Sequence, residues 1–415
     1  MKVQLNSLLT SLLDLEKQGK GATLLGIGPM SSNLIIASLE LARDGNFPIM
    51  FIASRNQVDS DEFGAGYVNG WNQDRFAQDI QNIANDIGFT GSYYLCRDHG
   101  GPWQRDEERN NHIPKETAMA IAKQSYLEDI LAGFDLLMID PTKDPFEVGK
   151  VIPLEAVIDM TVELIEYCES ERRQRNLPEI AYEVGTEETN GGLTSTDRYE
   201  EFIQELNRRL DAQGLPHPSF IVGQTGTLTR KTEQVGTFNF NNAQNLATMA
   251  ASYGVSLKEH NGDYLSDETL LLHRPTMISA VNVAPQYGTQ ETRALITLTN
   301  VETLLHDKGA ITNRSQLYDI LLTKAIDSER WKKWVIDPNI TVETIKKDPE
   351  LSLEILDIAG HYTFNDPDII RETTVLYQNL SQCGIDGKRY VIESIKQPIH
   401  NYAVAFNLIN LFDRI

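Results

Sequence analysis

Cysteine is scarce: Cys96, Cys168 and Cys383 lie far apart in 415 residues, make an odd number and form no C-x-x-C pair. That spacing speaks against a disulfide framework and against a thiolate zinc site, and it suits a reducing, cytoplasmic setting. Long apolar runs are missing as well. Nothing approaches the roughly 18 consecutive apolar residues of a membrane span, and the first twenty residues carry Asp14 and Glu16 in their midst, so they read as an amphipathic helix rather than a secretory signal. Positive charge is in deficit, with 37 Lys and Arg against 59 Asp and Glu and a formal charge of −22. Such a chain repels phosphate backbones and anionic lipid, which removes nucleic acid and membrane surfaces from the expected partners. There is no internal repeat, low-complexity tract or Gly/Ser linker to divide the chain.

What is present is an alternation. Eight short apolar runs occupy 23–28, 48–54, 92–98, 135–140, 179–185, 219–224, 255–260 and 277–283. Between them, and after the last, lie amphipathic helical patterns at 31–44, 73–87, 115–132, 154–175, 196–213, 241–252 and 289–305. Continuous apolar runs are expected of parallel strands buried on both faces. Eight of them favour a closed (β/α)8 barrel over an open doubly wound sheet. Past about residue 306 the strand signal ends, and helices are predicted at 313–326, 328–335, 342–358, 366–380 and 388–411, punctuated by Pro338, Pro349, Pro367 and Pro398. The division expected is therefore an N-terminal helix (1–20), a barrel (21–306) and a helical extension packed on it (307–415).

In a parallel barrel the residues ending each strand converge on one rim. Here that rim is polar: Ser54-Arg55-Asn56-Gln57, Asp98-His99, Asp140, Gly185-Thr186-Glu187-Glu188, Gln224, Glu259-His260 with Asp263, and Asn282. His99 and His260, with the Glu187 carboxylate between them in strand order, suit a divalent metal, Zn²⁺ in the first place. Such an ion can polarise a ketose carbonyl and steady the enediolate formed when the neighbouring carbon–carbon bond breaks. Asp98 and, after it, Asp140 are the candidates for proton transfer. Asn56, Gln57, Gln224, Asp263 and Asn282 are the rim groups expected to bind substrate. Adjacent residues of a strand face opposite sides, so Asp98 and His99 reach one site only if the chain turns there, as Gly100 and Gly101 permit.

Alternatives remain open at this level. Strand-end histidines are as often only hydrogen-bonded, and Asp140 before Pro141 can simply cap a turn. Lys258, on the same side as His260, offers metal-free Schiff-base chemistry. Gly26-Ile27-Gly28-Pro29 lacks the third glycine of a dinucleotide loop and reads as a tight turn. Residues 99–114 form a long polar loop, in which Trp103 can stack on a sugar or anchor a lid.

These strand ends resemble the family of class II tagatose-bisphosphate aldolase accessory subunits, also described as non-catalytic. The resemblance rests on Ala53-Ser54-Arg55-Asn56-Gln57-Val58, Asp98-His99-Gly100-Gly101-Pro102, Gly185-Thr186-Glu187 with Gly191-Gly192, Glu259-His260 with Asp263-Tyr264, and Arg330-Trp331-Lys332-Lys333-Trp334. It implies a class II aldolase-like barrel acting on a ketose or ketose phosphate, with His99 and His260 as metal ligands and Asp98 as the proton-transfer residue. Glu187 then stands near the place of a third, histidine ligand, and Asn282 resembles a substrate-side asparagine. Gly262 and Pro285 replace the small hydroxyl residues such aldolases carry near a phosphate, and the turn Gly28-Pro29-Met30-Ser31-Ser32 also departs from the pattern. Related proteins resemble metal-dependent ketose 4-epimerases. Three readings follow: an aldolase or epimerase, a non-catalytic partner of a separate aldolase catalytic subunit, and a sugar sensor. The first expects bound metal; the second expects little metal and a large apolar face. The partner is a small ketose or ketose phosphate, with an aldolase subunit or a second copy of the chain beside it.

Overall fold

The computed structural model describes residues 2–144, 146, 152–186, 192–335, 337 and 339–415. Among these, eight parallel strands close into a barrel in chain order: β1 (Leu24–Ile27), β2 (Ile49–Ser54), β3 (Tyr93–Gly100), β4 (Leu136–Ile139), β5 (Ala181–Val184), β6 (Phe220–Val222), β7 (Ser256–Glu259) and β8 (Ala280–Val283). Closure is made by β8 pairing back onto β1, from Leu24 opposite Ala280 to Ile27 opposite Val283. Strands such as Leu136–Ile139 are buried on both faces, which is why they read as unbroken apolar runs. The (β/α)8 expectation holds.

Helix α1 (Leu5–Lys17) buries Leu5, Leu8, Leu9, Leu12 and Leu15 on one stripe. Residues just before it bond to the entry ends of the strands. Val3 N–H donates to Ser92 Oγ (2.9 Å), Tyr94 OH donates to the Val3 carbonyl (2.8 Å), and Lys2 pairs with Asp135 (2.7 Å). The N-terminal segment thus lies at the end of the barrel opposite the polar rim. Around the wall follow α2 (Ser32–Asp44), α3 (Gln73–Asp86), α4 (Asp106–Asn110), α5 (Lys115–Leu131), α6 (Leu154–Gln174), α7 (Thr196–Gln213), α8 (Phe240–Ser252), α9 (Asp267–His273) and α10 (Pro285–Asp307).

The remaining helices are α11 (Leu317–Asp327), α12 (Val342–Lys347), α13 (Pro349–Ala359), α14 (Pro367–Gln382) and α15 (Gly387–Ala405). They pack on one side of the barrel, α15 against α2 and α10, and α11 and α14 against α10. Where one helix was expected over 342–358 there are two. Pro349 has no N–H and pushes Asp348 out of the helical region (φ −107°, ψ 108°), and the Asp348 side chain then caps α13. The expected helix at 328–335 is a single 3-10 turn, Arg330–Lys333, entered through Glu329 in the left-handed region (φ 55°). The loop after β3 holds α4, a short helix whose charged sequence carries no apolar period to announce it.

Candidate metal centre at the strand C-termini

Strand β3 brings Asp98 and His99 to the same place by breaking its own regularity. His99 has φ 45°, a left-handed conformation inside a strand, and the pairing register with β4 shifts between Arg97 and Gly100. A β-branched or bulky residue rarely holds such a conformation without support. The two glycines behind it are required by contact: a Cβ on Gly100 would meet Tyr126 Oη at 2.6 Å, and one on Gly101 (φ +125°) would meet the Asp140 carbonyl at 2.9 Å. Strand β7 delivers His260 immediately past its last residue, Glu259.

Asp98, His99 and His260 can each turn one ligand atom inward so that these atoms lie within 4.8 Å of one another, a grouping able to hold a metal ion. The imidazoles meet edge to face, with ring centroids 4.8 Å apart, and His99 Nε2 faces His260 Nδ1 at 3.2 Å. Each ring's other nitrogen is held by a carboxylate: His99 Nδ1 donates to Asp140 Oδ2 (2.6 Å) and His260 Nε2 donates to Glu183 Oε1 (2.8 Å). A carboxylate only accepts, so the outer nitrogens carry hydrogen, and the inner nitrogens are left facing each other. Two nitrogen ligands at about 2.0–2.1 Å from one four-coordinate ion stand about 3.3 Å apart. The separation of the pair fits that requirement, and carboxylate-held imidazoles are the usual support of metal-binding histidines.

The supporting carboxylates are themselves fixed. Thr142 Oγ1 donates to Asp140 Oδ1 (2.5 Å). Burial pushes the Asp140 carboxyl upward, but the His99 hydrogen bond and charge outweigh it and hold it below the ordinary range. Glu183 is buried inside the barrel, where desolvation alone would raise its pKa; the Lys258 ammonium at 2.5 Å and His260 hold it low instead. Burial would likewise lower the pKa of the His99 ring. The Asp98 charge and the Asp140 bond overcome this and push it up to about 8.

Asn282 on β8 donates from Nδ2 to Asp98 Oδ1 (2.9 Å), while its own Oδ1 is buried without a partner. It sits opposite Gly26 of β1, whose missing side chain makes room, since a Cβ there would lie 2.3 Å from Asn282 Oδ1. Asn56 lines the cleft beside His99, accepting from Asp106 N–H (3.2 Å). Gln57 is buried between Ser54 N–H, which donates to it (2.9 Å), and the Pro29 carbonyl (3.1 Å). Asp263 Oδ1 accepts from the N–H groups of Ala284 (3.0 Å) and Gln286 (2.9 Å) at the start of α10, and burial pushes its carboxyl up to about 7. Gln224 is buried at the end of β6, its backbone N–H bound by Thr194 Oγ1 (2.8 Å). Glu187 lies outside the described residues. Lys258 is committed to its ion pair with Glu183.

Residues 9–394 match the family of D-tagatose-1,6-bisphosphate aldolase subunits described as GatZ/KbaZ-like. The chain belongs to that family. It is thereby a carbohydrate-metabolism protein of the tagatose-bisphosphate aldolase family, as its strand ends suggested. Among solved structures, the GatZ/KbaZ-like fold is similar to a probable tagatose 6 phosphate kinase from Sinorhizobium meliloti 1021 (TM-score 0.76, 18% identity, 92% of this chain and 100% of that one). It is also similar to the fructuronate-tagaturonate epimerase UxaE from Cohnella laeviribosi (TM-score 0.56, 12% identity, 93% and 81%). A third is fructose-bisphosphate aldolase from Campylobacter jejuni (TM-score 0.52, 12% identity, 98% and 96%). At these identities the likeness is one of fold. No helix among the described residues is long and apolar enough to cross a membrane.

Glu183 is the site residue that sequence reasoning passed over. It stands inside the apolar run Ala181-Tyr182-Glu183-Val184. A lone carboxylate within a strand buried on both faces was the available signal, because such a charge has to be paired.

Proposed function

We propose that the chain is a metal-dependent enzyme of aldol type, acting on a ketose or ketose phosphate by retro-aldol cleavage or by 4-epimerisation. The observation that carries this reading is the His99–His260 pair, whose inner nitrogens face each other at 3.2 Å while Asp140 and Glu183 hold the outer ones. His99 and His260 hold a divalent cation, Zn²⁺ by preference for nitrogen and oxygen donors with an open position; Glu187 is the proposed third ligand. When bound, the ion supplies Lewis-acid polarisation of a ketose carbonyl. Asp98 takes the proton from the hydroxyl whose carbon becomes the carbonyl as the carbon–carbon bond breaks, and returns it to that oxygen when the bond is remade or, in cleavage, to the carbon that lost the bond. Its Oδ1 is fixed by Asn282, which orients Oδ2 toward that hydroxyl. Asn282 Oδ1 accepts a substrate hydroxyl. Asp140 keeps His99 in the ligating tautomer, a positioning role beside the acid–base work of Asp98.

Elemental analysis of the purified protein tests the reading: about one ion per chain is expected, falling to near zero in His99→Ala and His260→Ala. A native protein that takes up no stoichiometric metal on supplementation overturns it. Incubation of the loaded protein with fructose, tagatose and their phosphates then separates the chemistries, isomers marking epimerisation and three-carbon products marking cleavage. A second reading has one observation in its favour, the family's description as an aldolase subunit. On that reading the chain stabilises a separate class II catalytic subunit, and His99→Ala does so as well as the native protein when the two are co-expressed.

A further inference from the structure

Where β2 and β3 meet α4 and α5 lies a buried cluster of charge that the proposed chemistry leaves unused. Arg55, Arg97 and Arg105 meet Asp59, Glu108 and Asp129 there, and all six are buried. Arg97, the residue before Asp98, forms a bidentate pair with Asp129 of α5 (2.8 and 2.5 Å) and donates to the carbonyls of Ala53 (2.9 Å) and Val58 (2.8 Å). Asp59 accepts from Arg55 Nε (3.0 Å), from Arg105 Nη1 (3.3 Å) and from the hydroxyl of Ser125 on α5 (2.7 Å). Burial alone would raise the Asp59 carboxyl; the charges of Arg55 and Arg97, the Ser125 hydroxyl and the charge of Arg105 hold it low instead.

One link runs from this cluster to the metal-binding group. Arg55 Nη1 donates to the Gly101 carbonyl (3.0 Å), and the same nitrogen lies 2.8 Å from Glu108 Oε1 of α4. Gly101 belongs to the turn in which His99 takes its left-handed backbone, a conformation that persists only where the surroundings over-determine it. From the β4 side the turn is held by the Asp140 N–H, which donates to the Gly100 carbonyl (2.8 Å), and by Gln104 Nε2, which donates to the Asp140 carbonyl (2.7 Å). From the β2 side it is held by Arg55. Stability alone is a poor account of that guanidinium. Its Nη2 is buried with no acceptor among the described residues, and a buried ion pair seldom stabilises a fold more than apolar side chains of similar volume. A planar fork set between two carboxylates has, however, a fixed orientation, and here that orientation aims an N–H at Gly101.

We propose that Arg55 is a positioning residue of the metal centre: anchored on Asp59 and Glu108, it braces the Gly101 carbonyl so that His99 keeps its left-handed backbone and presents Nε2 toward His260. The inference rests on the metal-dependent reading above. It gives the Ser54-Arg55-Asn56-Gln57 rim a part in the site that needs no contact with substrate.

The test uses the full chain loaded with cobalt(II), whose visible absorption follows the coordination geometry, together with hydrogen exchange of the metal-free protein over residues 98–104 and at the Asp140 amide. The double variant Arg55→Met/Glu108→Gln removes one charge of each sign and leaves Asp59 paired with Arg105. It is expected to bind cobalt about ten-fold or more weakly, the scale on which loss of an outer-shell partner acts, with altered absorption bands and faster exchange confined to the turn. Glu108→Gln alone keeps the Arg55 bond to Gly101 and should retain the native bands and exchange. If the double variant does not fold, Arg55→Lys, which keeps the charge beside Asp59 but loses the fork, is read in the same way. Native affinity, bands and exchange in a folded variant lacking the guanidinium overturn the proposal, as does a change in Glu108→Gln equal to that in the double variant. If the native protein takes up no cobalt, the metal-dependent reading fails and exchange decides the rest: protection lost only at the turn leaves Arg55 as its brace, and protection unchanged removes that role too.

Discussion

Two carboxylates stand behind the imidazoles, and they differ in what else they hold. Glu183 pairs with Lys258 as well as His260 in the fully buried interior, so removing its charge strands an ammonium there. A broken buried pair costs about 3–5 kcal/mol, and that would blur any effect on metal binding. Asp140 is held by Thr142 besides His99, with the charge of the half-buried Lys143 near it, and is the cleaner probe. Asp140→Asn is expected to keep the fold and to weaken metal affinity about 10–100-fold, as loss of an outer-shell carboxylate does. Competition against a chromophoric chelator measures this. An affinity unchanged from the native protein would show that His99 does not ligate through the nitrogen that faces His260.

At the scale of elements, the barrel was legible because most strands are short apolar runs buried on both faces and the longer wall helices bury one side. Ala181 to Val184 and Leu136 to Ile139 needed no tertiary information to be read as strands. The site was legible in its outline: Asp98, His99, His260 and Asn282 all follow or close an apolar run. The turn that joins Asp98 to His99 was signalled by Gly100 and Gly101, but its form, a left-handed φ at His99 and a register shift against β4, was not, and the pairing of Glu183 with Lys258 crosses between strands far apart in the chain. The break at Asp348–Pro349 was readable from proline alone, whereas α4 depends on its surroundings. Another cross-element contact supports a prediction. Glu291 of α10 is buried against Ser31, the N-cap of α2, and Asn33, whose Nδ2 donates to it (2.8 Å). Burial raises its carboxyl from 4.5 to about 7, against the pull of those two hydrogen bonds. Between these values the unfolded chain has released a proton that the native state keeps, so stability falls as pH rises from about 4.5 through about 7. Glu291→Gln abolishes this term. From pH 5 to pH 8 the variant should gain on the native protein by up to on the order of 3 kcal/mol, read from urea midpoints; parallel pH profiles for the two proteins would show that Glu291 ionises normally in the fold.

On the scale of the whole molecule, the question is whether the C-terminal helices are an appendage or part of one cooperative unit. Helix α15 buries Val391, Ile395, Ile399 and Tyr402 against α2 and α10, and the chain after it buries Phe406, Leu408 and Leu411. The tail is also tied by backbone to the start of the barrel. Thr23 N–H, one residue before β1, donates to the Phe406 carbonyl (3.0 Å), and the N–H groups of Asn410 and Phe412 donate to the carbonyls of Gly45 (2.7 Å) and Asn46 (3.2 Å) just before β2. Farther along, the Tyr402 hydroxyl lies 2.6 Å from the Gly262 carbonyl in the loop after β7 and 2.7 Å from Gln286 Oε1. Removing α15 would therefore expose the apolar faces of two wall helices and leave backbone groups at the entrances of β1 and β2 unpaired, in a fold whose net stability is only about 5–15 kcal/mol. Scanning calorimetry of the full chain should show a single transition with equal calorimetric and van't Hoff enthalpies. A chain ending at Gly384 should be insoluble or unfolded. Two separated transitions, or a truncated chain with native circular dichroism, would mean that the barrel folds alone.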